Sequence, residues 1–203
     1  QREAFECMYV LTDRIANRLP PDRDAPIKEM IAIRANAAHN IPGLLPVGRN
    51  DERYDLYLAA EAVFLGNETR AWELTQPKLK LLRKKWREFD LQYVAWVVDR
   101  MRRQNLYDDA LEFAFTILLD ELDFEAEDMA RISLIKGDIY RDKENYQAAR
   151  IEYQGLLNNK RYRKTAAGRQ ARYRLIELMI LTKDYGAAEA RLQMRVDRGD
   201  DDS

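Results

Sequence analysis

Residue types that carry out chemistry are scarce in this chain of 203 residues, which contains one histidine, His39, and one cysteine, Cys7. Nucleophilic catalysis needs a nucleophile in hydrogen-bonding reach of a base, and neither residue has such a partner near it in the sequence. One cysteine and one histidine also exclude a zinc site built from thiolates and imidazoles. No Gly-rich phosphate loop or calcium-loop spacing is present. The sequence therefore predicts no catalytic site, no metal site and no cofactor.

Composition limits the remaining classes of function. The 34 Lys and Arg residues nearly balance the 35 Asp and Glu residues, so no global field attracts nucleic acid or a membrane surface. No stretch approaches eighteen apolar residues, which predicts no membrane-spanning segment. The first residues lack the order of a signal peptide, and the missing initiator methionine indicates an excised domain or a processed chain. The compartment, cytoplasmic or periplasmic, is left open.

The most informative pattern is an internal repeat. Three tyrosines stand 39 residues apart, and each is followed three positions later by an alanine: Tyr107 and Ala110, Tyr146 and Ala149, Tyr185 and Ala188. One interval earlier the alanine position holds Ala71, with Glu68 in place of the tyrosine. The register therefore extends over four copies. Repeat arrays present extended surfaces to partners and seldom carry chemistry of their own.

Apolar residues recur at helical spacing, and no alternating pattern competes with them, so the sequence predicts an all-α fold. Each copy is a helical hairpin, and the four predicted hairpins are 52–65 with 68–86, 91–103 with 107–119, 128–143 with 146–157, and about 167–181 with 185–196. Asn145 and Asp184 stand at N-cap positions of second helices. Pro77 is expected to kink or restart the second helix of copy 1.

The predicted domain organisation has three parts. Residues 1–50 form an irregular helical pair, 4–19 and 26–39, followed by a loop rich in Pro and Gly. Residues 51–196 form the four hairpins. Residues 197–203 form an acidic tail that is expected to be disordered.

The hairpin at 130–161 resembles a tetratricopeptide repeat (TPR). The residues that match or nearly match that pattern are Gly137, Tyr140, Ala149 and Tyr153, and Tyr146 fits a common aromatic position. Ser133, Lys136 and Arg161 depart from it, where the family has Trp, Leu and Pro. The resemblance implies a right-handed α-solenoid of TPR-like hairpins, whose concave face is lined by first helices and binds another protein.

One register position of that face holds Ala60, Asp99, Asp138 and Glu177 in successive copies, and three of these four residues are acidic. The position one turn later holds Val63, Arg102, Arg141 and Ile180. These residues form either an exposed ion-pair ladder of little energetic value or direct contacts to a partner. The predicted partner-binding residues are Asp99, Arg102, Asp138, Arg141, Tyr173 and Glu177. Carboxylates that project together into one groove predict a neutral or basic helix or peptide as the partner.

A basic segment offers the alternative surface. Its candidate residues are Arg163, Lys164, Arg169 and Arg172, which interleave with Tyr162 and Tyr173 as in phosphate-binding segments. The matching segment one copy earlier is acidic, which disfavours a continuous nucleic-acid track.

The sequence thus predicts a non-catalytic scaffold that binds a protein partner, of the kind found in bacterial assembly, secretion or envelope systems. The alternative is a nucleic-acid-associated repeat protein. Self-association is left open.

Overall fold

The computed structural model describes residues 47, 50–120 and 124–198. These residues form α-helices and two short 3-10 helices, with no strand in the described ranges, which confirms the predicted all-α class. The α-helices are α1 Tyr54–Phe64, α2 Glu68–Thr75, α3 Leu79–Lys85, α4 Leu91–Arg103, α5 Tyr107–Leu118, α6 Ala126–Asp142, α7 Tyr146–Asn158, α8 Ala166–Leu181 and α9 Tyr185–Arg198. The predicted helices 4–19 and 26–39 lie outside the described residues.

The chain divides into two compact units, residues 1–97 and 98–203, and helix α4 has residues in both. The organisation predicted from the sequence, into residues 1–50, 51–196 and 197–203, stays a prediction. Helix α9 runs to Arg198, two residues into the predicted disordered tail, and residues 199–203 lie outside the described part.

In the described part of unit 1, α1 packs against α2. The second helix of copy 1 breaks at Pro77, which lies in the 3-10 helix Gln76–Lys78 between α2 and α3, as the missing proline amide predicts. Trp72 and Trp86 are buried in the core of this unit. The ring of Trp72 meets Trp96 edge-on, with centroids 6.5 Å apart.

In unit 2, α6 packs against α5 and α7, α8 packs against both α6 and α7, and α9 packs against α8. The alanines that recur at the 39-residue interval are buried in this unit: Ala110, Ala149 and Ala188. A Cβ atom at Gly137 would lie 2.5 Å from Cε1 of Tyr153, which is fully buried. Glycine at position 137 therefore lets α6 approach the tyrosine ring of α7.

The backbone conformation of the turns within the hairpins recurs every 39 residues. In each copy the second residue after the first helix has a left-handed conformation: Gly66 (φ 73°), Asn105 (60°), Glu144 (60°) and Lys183 (62°). The next amide then bonds a carbonyl five residues earlier, as when Asn145 N donates to Tyr140 O at 2.9 Å. The Asn145 side chain accepts from Ala148 N at 3.2 Å, and Asp184 Oδ1 from Ala187 N at 3.4 Å, so both predicted caps are present.

Candidate partner-binding surface

The structure brings together the charged residues predicted for the face of first helices in unit 2. Arg102 Nη2 lies 2.8 Å from Asp99 Oδ1 on α4. On α6, Arg141 Nη1 lies 3.3 Å from Asp138 Oδ1. Both ion pairs join residues three positions apart on one helix, as the sequence predicted.

Further ion pairs connect one copy to the next. Arg102 of α4 bonds Asp142 of α6, and Arg174 Nε of α8 lies 3.1 Å from Asp138 Oδ1. Arg174 Nη1 also lies 2.9 Å from Glu177 Oε2. The resulting charged ladder comprises Asp99, Arg102, Arg103, Asp138, Arg141, Asp142, Arg174 and Glu177. Sequence reasoning missed Asp142 and Arg174, although Arg174 stands three positions before Glu177 on the same helix face.

Asp138 lies at the centre of the ladder and is buried, with 5% of its surface exposed. Its Oδ1 accepts a hydrogen bond from the Tyr153 hydroxyl at 2.7 Å. The prediction that this carboxylate projects into an open groove is therefore wrong. The expectation of exposed pairs is also wrong, because the side chains of Arg102 and Arg141 are only 16% and 17% exposed. Asp138 holds α6, α7 and α8 together instead.

The protonation of the ladder follows from burial and opposite charge. Burial disfavours the charged form of Arg102. The attraction of Asp99 and Asp142 is larger than this effect of burial, so the pKa of Arg102 is raised. The same balance, with Asp142 and Asp138 as the partners, raises the pKa of Arg141. Burial and the Asp138 carboxylate raise the pKa of Tyr153 above its usual value of 10.0, so the hydroxyl stays protonated and donates.

The ladder carries no net charge. Its four carboxylates, Asp99, Asp138, Asp142 and Glu177, are matched by four guanidinium groups, those of Arg102, Arg103, Arg141 and Arg174. The prediction of a basic partner depended on the added negative fields of the carboxylates. In unit 2 the guanidinium groups largely cancel these fields. Discrimination between partners on this face has to come from shape and from the apolar side chains beside the ladder.

The apolar side chains are found on α8. Tyr173, Glu177 and Ile180 share one face of this helix at spacings of four and three residues. Tyr173 is 43% exposed and Ile180 49% exposed. At the register position of Tyr173, the preceding copies hold Leu134 and Ala95, which are both buried. The face defined by Tyr173, Glu177 and Ile180 is called the α8 face below.

Helix α9 shows the same difference between copies. Leu192 is 47% exposed, whereas the residues at its register position, Tyr153, Ala114 and Thr75, are fully buried. The hairpin of α8 and α9 therefore exposes apolar side chains at positions that earlier copies cover. Such side chains are suited to contact with a partner chain.

The predicted basic segment, residues 160–174, lies in the connection before α8 and in its first turns. Its last cation, Arg174, pairs with Asp138 and Glu177, so the name basic edge is used below for residues 160–172. Its exposed cations are Lys160, Arg161, Arg163, Lys164, Arg169 and Arg172, and none forms an ion pair within the described part of the chain. Tyr162 is buried, however, and its carbonyl oxygen lies 2.2 Å from where a Gly168 Cβ would be. The prediction that Tyr162 takes part in a phosphate-binding surface is therefore wrong, because its ring is buried and cannot stack on a base.

Among residues 50–120 and 124–198, no group of three or more His, Cys, Asp or Glu side chains could hold a metal ion. No helix within the same ranges is long and apolar enough to cross a membrane. No family model, curated protein or solved structure matches this chain. The candidate surfaces are therefore inferred only from the geometry of the described residues.

Proposed function

We propose that this protein is a non-catalytic helical-repeat scaffold that binds another protein through the face of its first helices, the concave face of a TPR-like solenoid. The observation that carries the proposal is the α8 face, where Tyr173 and Ile180 stand exposed at either side of Glu177. Aromatic residues contribute more binding energy than most others at protein interfaces. Helical scaffolds receive amphipathic helices or extended peptides on such faces.

The charged ladder supports this function by holding the surface rigid. Ion pairs join α4 to α6 and α6 to α8, so the side chains of three first helices have fixed relative positions. A partner that binds a fixed surface loses less conformational entropy on the scaffold side. The proposed assignment to a bacterial assembly, secretion or envelope system rests on the resemblance alone.

Replacing both Tyr173 and Ile180 with serine is expected to weaken partner binding about thirtyfold, because a buried aromatic anchor contributes about 2 kcal/mol. The measurement is a quantitative pull-down from a native extract at near-physiological salt. Leu119→Ser is the matched control, since Leu119 is 86% exposed and lies outside the α8 face. An unchanged set of captured proteins for the double variant would contradict the proposal.

The basic edge favours a second candidate function, association with nucleic acid, because its six cations have no acidic partner within the described residues. Binding of random single-stranded RNA should then weaken steeply with salt, with a log–log slope of about −0.7 for each phosphate neutralised. The charge reversals Lys164→Glu and Arg169→Glu should together lower that slope, as measured by fluorescence anisotropy. A slope near zero for the parent protein would exclude this candidate.

A further inference from the structure

Helix α8 carries cations in its first half and apolar side chains in its second half, along one exposed stripe. Arg169, Tyr173 and Ile180 follow each other at spacings of four and seven residues, so they lie on the same side of the helix. Arg172 is exposed beside Tyr173, three positions after Arg169. These four residues are called the α8 stripe below. From Arg169 to Ile180 the stripe is about 16 Å long, which is enough to contact three turns of another helix.

The preceding copy buries the register positions that α8 exposes. Ala130 and Leu134 of α6 stand one interval before Arg169 and Tyr173, and they are 0% and 5% exposed. Helix α8 packs against α6 as the next first helix of the array. The described residues contain no further first helix that packs against α8 in turn. The α8 stripe is therefore a surface of the kind that a first helix covers in the array.

The cations of the α8 stripe have no acidic partner among the described residues. Neither Arg169 nor Arg172 forms an ion pair with residues 50–120 or 124–198. The Arg169 side chain donates one hydrogen bond, from Nη1 to Lys164 O at 3.1 Å. A guanidinium group carries five N–H donors, so this bond leaves Arg169 able to bind a carboxylate.

Two carboxylates that contact α8 are engaged elsewhere. Glu127 Oε2 accepts from Ala166 N at 3.0 Å, at the first residue of the helix. Glu177 Oε2 lies 2.9 Å from Arg174 Nη1, within the charged ladder. Neither carboxylate pairs with a cation of the α8 stripe. The first half of the stripe therefore attracts negatively charged groups of a partner.

We propose that the α8 stripe binds an acidic amphipathic helix of a partner protein. Its apolar side chains contact Tyr173 and Ile180, and its carboxylates pair with Arg169 and Arg172. The apolar contacts supply most of the affinity, and the charge pairs select the partner and speed its association. This inference rests on the proposed function, since it names the class of partner that binds the α8 face.

The expected charge of the partner is thus opposite to that of the basic partner predicted from the sequence. That prediction depended on Asp99, Asp138 and Glu177, which are paired with arginines in the charged ladder. Nucleic acid would meet the same cations of α8, but a phosphate backbone gains nothing from burying Ile180. The apolar half of the stripe favours a peptide.

The test uses a random library of twelve-residue peptides selected on the intact chain, because a helix of this length is about 18 Å long and matches the stripe. Enriched peptides should combine apolar residues at helical spacing with Asp or Glu residues. The paired reversal Arg169→Glu and Arg172→Glu should weaken their binding at least about tenfold in isothermal titration calorimetry, because like charges then face each other.

The paired reversal Lys80→Glu and Lys84→Glu is the matched control, because it makes the same change of net charge at two exposed cations of α3 in unit 1. It should change the affinity less than about twofold. If the Arg169 and Arg172 variant melts below the parent, Arg172→Glu alone replaces it. This single reversal should weaken peptide binding about threefold.

Peptides that bind the arginine variants as well as they bind the parent would overturn the inference, as would a selection that enriches basic peptides or none. Loss of binding to random single-stranded RNA, without loss of binding to the peptides, would assign the cations to nucleic acid and also contradict it. The pull-down with the Tyr173→Ser and Ile180→Ser double variant judges the proposed function separately. If that variant loses captured proteins that the arginine variants retain, the scaffold function stands and the acidic partner is wrong.

Discussion

Ala149→Arg is expected to lower the free energy of unfolding of unit 2 by at least about 3 kcal/mol, because it forces a long charged side chain into a close helix contact. Ala149 is fully buried in α7, at the register position that holds a buried alanine in all four copies. The measurement is urea denaturation followed by circular dichroism at 222 nm.

Gln147→Arg is the control for this variant, since Gln147 is exposed on the same helix. Substitutions at such surface positions change stability by about 0.5 kcal/mol or less. A free energy of unfolding for Ala149→Arg within about 0.5 kcal/mol of the parent would show that the proposed register is wrong.

Asp138→Lys is expected to destabilise unit 2 by about 3–5 kcal/mol, the usual result of leaving buried charges without their partner. The new ammonium group would face Arg141 and Arg174, and Tyr153 would lose its acceptor. If Asp138 lined an acidic groove for a basic partner, as the sequence predicts, this reversal would mainly slow association with that partner. In the structure the Asp138 carboxylate is buried among α6, α7 and α8, so the main expected effect of the substitution is on folding.

The matched control is Glu177→Lys, which makes the same reversal at the same register position one copy later. The Glu177 side chain is 50% exposed, so this change should cost about 1 kcal/mol or less. Tyr153→Phe removes the hydrogen bond to Asp138 without adding a charge, and should fall between the two. Equal destabilisation by both reversals, measured by urea denaturation, would show that Asp138 is not the centre of the ladder.

The sequence by itself determined the elements of the described fold. Helical periodicity and the 39-residue interval predicted the hairpins, and α4 begins and ends where predicted, at Leu91 and Arg103. The cap at Asn145 and the break at Pro77 were also predicted. These features depend on neighbours close along the chain or one helix away, so a local pattern specifies them. The left-handed residues Glu144 and Lys183 are an exception, since neither type marks such a turn.

Only the tertiary structure decided which charged residues are available to a partner. Asp99, Asp138 and Glu177 share one register position, yet their side chains are 18%, 7% and 50% exposed. The exposed fraction of each carboxylate depends on the helix that packs over it and on the arginine that this helix brings. The sequence gives the type of each side chain. How far that side chain is buried, and which ion pairs it forms, depends on residues about 39 positions away in the neighbouring copy.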